Sequence, residues 1–116
     1  MLFCQEGCYI MDFQYLKAAP AKITAMKAQL EVQNFEKIRW PLCQEIDNLR
    51  EYQAEAVWYF TQLEDATLFE AMMLYYIQGL CIEEVADELH YNPRWVRRLI
   101  KRGREEVEIL LSLIHI

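Results

Sequence analysis

Between positions 94 and 104 the chain places six cations in eleven residues, with no acid among them: Arg94, Arg97, Arg98, Lys101, Arg102 and Arg104. A guanidinium fork binds phosphate oxygens and can bridge the O6 and N7 acceptors of guanine. An ammonium adds a point charge for phosphate. Polyanion binding is therefore the chemistry that these residue types can do. The rest of the chain holds six basic against eighteen acidic residues, a net of −12 within a total of −6. An acidic body with one basic stripe suits contact with a polyanion along a single face. A basic run is also what an ordinary solvated helix face carries. The stripe gains meaning only from the element that presents it.

Other constellations offer less. Glu83 and Asp87 share a helical face, as do Glu84 and Glu88, but no His, Gly-rich loop or third ligand accompanies them. Glu83 and Glu84 read better as first-turn acids that complement a helix macrodipole. Cys4, Cys8, Cys43 and Cys81 form no CxxC pair, and no His stands at ligand spacing from them. His90 reads as a turn residue, and no nucleophile–base arrangement is visible. No enzyme, metal or cofactor is expected. Of Trp40, Trp58 and Trp95, only Trp95 lies near the basic stripe, where it could stack on a base or pack on the preceding helix.

The element around the stripe starts at Ile82 and reads IEEVADELHYNPRWVRRLIKR. Val85, Ala86 and Leu89 share one face of a first short helix. His90-Tyr91 is the turn. Asn92 is a good N-cap and Pro93 a good first helical residue. Val96, Leu99 and Ile100 form the buried face of a second helix. A small residue is needed at Ala86, where the two helices cross at close range. Val85, Ala86, Leu89, Val96 and Leu99 thus fall where a helix-turn-helix needs its core. Asn92, Arg94, Trp95, Arg97, Arg98, Lys101, Arg102 and Arg104 are the outward, DNA-binding candidates. Asn92, Arg94, Arg97 and Arg98 lead the helix and suit base reading; Lys101, Arg102 and Arg104 suit phosphate.

The stretch LEDATLFEAMMLYYIQGLCIEEVADELHYNPRWVRRLIKRG resembles the C-terminal, promoter-reading domain (region four) of bacterial sigma factors. Among these it is most similar to the short sigma-like regulators of phages and prophages of Gram-positive bacteria. The resemblance rests on Leu74–Gly79, Ile82–Ala86, Leu89-His90-Tyr91 and Val96-x-x-Leu99, and it covers about 40 residues, a third of the chain. It implies a transcription regulator on promoter-like double-stranded DNA, with RNA polymerase as a further partner. Two departures stand out. His90 occupies a position where many such motifs have Gly, which implies backbone strain if φ is positive. Asn92-Pro93 replaces the more usual Ser-Arg and bears on which bases are read. Nothing resembles the sigma domain that melts the downstream promoter element. The alternative reading is a helical protein-interaction module that binds polymerase or another partner without specific DNA binding.

The remaining elements must carry this motif. Few Gly and Pro, and many helix formers, point to an all-α chain. Leu16, Ala19, Ile23, Met26 and Leu30 mark a helical stripe, with Pro20 as the expected start of its main helix to Ile38. Trp40-Pro41 is the expected break, and Pro41 the start of a helix to about Gln62. Along it Leu42, Ile46, Leu49, Gln53, Ala56, Phe60 and Leu63 form a heptad seam, suited to a coiled coil or to a hairpin with the Pro20–Ile38 helix. The hairpin is preferred, with a monomer or weak homodimer. Leu68, Met72, Tyr75 and Tyr76 face the core of a third helix, which Gly79 ends.

The expected organisation is an N-terminal helical hairpin followed by a three-helix helix-turn-helix head. Residues 12–63 are the hairpin and 64–110 the head. Residues 1–11 are expected to be a non-native or disordered extension, with Met11 as a second start. Residues 111–116 resemble a translated transposon-end adaptor and are expected to lie outside the fold; a natural apolar helix end is the other reading. No secretory signal or membrane span is expected, so the thiols should be reduced and the protein cytoplasmic.

Overall fold

Asp12 starts the first helix: its Oδ1 accepts the backbone N–H groups of Gln14 and Tyr15, each at 3.1 Å. Met11, just before this cap, and Leu16, in the first turns, are both buried, as in a hydrophobic staple. A computed structural model describes residues 11–114. The helices are α1 (Phe13–Val32), α2 (Glu36–Phe60), α3 (Ala66–Met72), α4 (Ile82–Leu89) and α5 (Pro93–Ile114). α3 continues into a wider π-helical turn, Met73–Ile77. No strand occurs among the described residues, so the fold is all-α.

Both prolines sit differently from expectation. α1 runs unbroken through Pro20 rather than starting there, and Pro41 lies inside α2, whose first residue is Glu36. The break falls at residues 33–35, not at Trp40-Pro41. An interior proline forfeits one helical hydrogen bond and costs about 3 kcal/mol. Tertiary burial outweighs this cost. Ala19 and Ile23 of α1 close on Ile46 and Leu49 of α2, with Met26 and Leu30 at the edge. The 33–35 turn is fixed from α2, where Arg39 Nη1 donates to the carbonyls of Leu30 (2.6 Å) and Gln33 (2.9 Å). A cation at a helix C-terminus also complements its dipole. Part of the α2 seam is therefore covered within the chain.

One larger cluster joins every helix. It runs from Leu16 of α1 through Tyr52, Ala56 and Phe60 of α2 to Leu68 and Met72 of α3. It continues to Val85 of α4 and to Val96, Val107 and Leu111 of α5. The α2 end of the hairpin and the last three helices thus share one core across positions 63 and 64. Two expected boundaries shift. Met11 belongs to the core, and Leu111 is buried with α5 continuing to Ile114, because the same helical face that buries Val96 and Val107 returns there. The readings that concern residues 1–10, 115 and 116 lie outside the described residues.

The π turn is held from a distance. Lys17 Nζ donates to the carbonyls of Tyr75 (2.9 Å) and Leu80 (2.7 Å) and lies 3.8 Å from the centroid of the Tyr75 ring. Gly79 follows with φ +79°, and a Cβ there would meet Pro20 Cβ at 3.1 Å. Gly79 thus supplies both the left-handed turn and the close approach that lets α4 begin.

Candidate nucleic-acid interface

Local signals set α4 and α5. Cys81 is the N-cap of α4, and Glu84 Oε1 accepts its backbone N–H at 2.9 Å, as in a capping box. This bond holds the Glu84 carboxyl below its ordinary range. At the other end His90 adopts φ 61°, ψ 42°, and the Tyr91 N–H reaches back to the Ala86 carbonyl at 2.9 Å. That closure is the Schellman pattern. Asn92 Oδ1 then accepts the Arg94 N–H at 2.8 Å, and Pro93 is the first residue of α5. The turn between the two helices is thus three residues long, His90–Asn92, and each carries a backbone task.

The left-handed backbone at His90 is a place where a side chain is disfavoured. His90→Gly is expected to stabilise the protein by about 0.5–1 kcal/mol. Relief of roughly 1–2 kcal/mol of strain outweighs the added entropy of the unfolded chain, about 0.4–1 kcal/mol. Urea denaturation checks this, and a less stable variant would contradict it.

Val85, Ala86, Val96, Leu99 and Ile100 are buried where α4 meets α5, while Leu89 is half-buried at the edge of the same core. A residue that sequence reasoning passed over, Gly103, closes the other side. A Cβ at Gly103 would lie 2.6 Å from Met72 Sδ and 2.8 Å from its Cγ, so α3 and α5 touch there through a bare backbone. A glycine inside a helical pattern was the available signal.

The eight outward candidates separate into groups. Arg94, Arg98 and Lys101 follow one another at steps of four and three, so they form a single exposed crest along α5. Among the described residues their side chains make no hydrogen bond or ion pair. Arg97 pairs with Glu83 of α4 at 3.9 Å, on an exposed surface where such a pair is worth little. Arg102 Nε donates to Glu106 at 3.0 Å and its Nη1 lies 3.9 Å from Asp65. Arg104 departs from the outward expectation: it is half-buried, and its Nη1 donates to the Tyr76 hydroxyl at 3.1 Å. Burial raises the Tyr76 phenol above its ordinary range, against the lowering effect of that bond. Its place on α5, turned toward the π turn, accounts for the difference. Asn92 is exposed, with its side-chain oxygen engaged in the cap. Trp95 (46% exposed) presents aromatic surface in the first turn of α5, and Tyr91 (41%) in the turn before it.

The result is a convex, cationic face over the first turns of α5, backed by a packed crossing. Toward the C-terminus Glu105, Glu106 and Glu108 end the basic run. Among the described residues no group of three His, Cys, Asp or Glu is placed to hold a metal ion, and no helix is long and apolar enough to cross a membrane. Compared with known protein families, curated proteins and solved structures, the chain matches none.

Proposed function

We propose that this chain is a sequence-specific DNA-binding transcription regulator of the phage, sigma-like type. α4 and α5 act as its helix-turn-helix, and α5 lies in the major groove. The observation that carries the reading is the unpaired crest of Arg94, Arg98 and Lys101 on the helix that a three-residue turn presents. Arg94 and Arg98 lie nearest the N-terminus of α5 and read base edges, with Trp95 beside them; Lys101 binds phosphate. Arg97 and Arg102 reinforce the crest once their exposed ion pairs open. The resemblance to sigma region four supports a promoter-like target and RNA polymerase as a further partner. On this reading the protein works in the cytoplasm, as a monomer or weak homodimer. Against a coiled-coil module stands the cover that α1 gives to Ile46 and Leu49 of the seam.

Salt dependence tests it. With Lys101 on a phosphate and Arg97 and Arg102 recruited to two more, log affinity should fall against log salt with a slope of about −3. Fluorescence anisotropy with a labelled duplex across a salt series measures this. A flat response would falsify duplex binding through α5.

A further inference from the structure

A groove of about 570 Å³ opens between α1, the π turn and α5, and none of the crest residues lines it. Lys17 and Arg104 supply its charge, and Phe13, Tyr75 and Tyr76 its aromatic walls, with Gln14 at the rim. No carboxylate lines it. The ammonium of Lys17 has two N–H groups engaged by the carbonyls of Tyr75 and Leu80, which leaves one donor beside the Tyr75 ring. Arg104 spends one N–H on the Tyr76 hydroxyl, which leaves the other donors of its fork. Partial burial lowers the Lys17 pKa below its ordinary value, against the smaller raising effects of Cys81 and of Glu84, whose carboxylate is tied to the Cys81 backbone.

We infer that this groove is a second anion site that takes a phosphate group between Lys17 and Arg104. Two cations line one groove that no carboxylate lines, so an oxyanion is the occupant whose charge they favour. A phosphate offers enough acceptors for the Arg104 fork and the spare Lys17 donor together, and up to two charges to match theirs. The aromatic walls and the volume leave room for an organic body attached to it. Two sources share this chemistry: a small phosphorylated compound, or a backbone phosphate of a nucleic acid. The site stands on its own lining and does not depend on DNA binding by the crest.

The test is an NMR titration of the full, isotope-labelled chain with inorganic phosphate at neutral pH, with ionic strength held constant by chloride. The expected result is saturable shifts of the Arg104 side-chain N–H and of backbone amides at 14–18, with Kd on the order of 1 mM. Arg104→Gln and Lys17→Met, each shown to be folded by its own spectrum, should weaken binding about tenfold. Arg98→Ala should leave the phosphate shifts intact even where it impairs DNA binding, so the two readings can fail separately. Adding duplex DNA identifies the source. Displacement of phosphate points to the nucleic-acid backbone, and simultaneous binding points to a small ligand. Absence of saturable shifts, shifts that Arg104→Gln leaves unchanged, or shifts lost in Arg98→Ala would each overturn the proposal.

Discussion

Replacing Arg94, Arg98 and Lys101 together by alanine is expected to weaken duplex binding by two to four orders of magnitude, with little change in stability. The three side chains are exposed and, among the described residues, have no partner, so the fold loses nothing that they hold. Surface changes of this kind usually stay within about 0.5 kcal/mol. On DNA, a bidentate base contact is worth about 1–3 kcal/mol, and loss of a phosphate contact reduces the salt slope by about 1. Two base-reading arginines therefore account for about 2–6 kcal/mol, and the lysine's phosphate contact adds to that. The single variants should differ in kind. Arg98→Ala should relax preference at one base pair, while Lys101→Ala should weaken all sequences alike. Anisotropy on a panel of single-base operator variants separates these outcomes. If the triple variant binds as the parent does, the crest is not the contact surface.

Gly103→Val should destabilise the protein by about 3 kcal/mol, at the upper end of what overpacking costs. Its Cβ would enter the space of Met72, at 2.8 Å from Cγ, and Met72 is fully buried, so the neighbour has nowhere to swing. Gly103→Ala is the milder case. There the gain in helix propensity, about 1 kcal/mol, offsets part of the clash and leaves a smaller net loss. Met72→Ala supplies the diagnostic. Alone it should cost about 2–5 kcal/mol by opening a cavity. Combined with Gly103→Val it should cost less than the sum, with a coupling of about 0.5–3 kcal/mol. Additive losses in urea denaturation would mean that the two positions do not touch.

The part of the fold most legible in the sequence is the part governed by near neighbours. Asn92 before Pro93, the apolar steps Val85–Ala86 and Val96–Leu99, and the all-α class follow from capping and periodicity, which act within a few residues. The readings that shifted depend on distant partners. Pro20 and Pro41 looked like helix starts because proline is unfavourable inside a helix, yet Ala19, Ile23, Ile46 and Leu49 bury enough surface to carry both helices through. A helical period shows that Arg97, Arg102 and Arg104 face outward or sideways. It says nothing about Glu83, Asp65 and Tyr76, which occupy them from other elements or turns. Lys17 is the extreme case, since its two carbonyl partners lie 58 and 63 residues away. Nothing around Lys17 in the chain marks it as a clamp on the π turn or as a wall of the groove.

The confinement of the free crest to the first half of α5 has a kinetic consequence. The free cations gather at one place on a chain that is elsewhere net acidic, so its charge is unevenly distributed. In the field of a polyanion such a body feels a torque before it feels a contact. On the proposed reading the crest would be turned inward while the two surfaces are still about a Debye length apart, roughly 8 Å at physiological salt. Most collisions would then begin face-on, and the rate of productive encounter would be set by how fast the molecule can rotate in that field rather than by a random search over its whole surface.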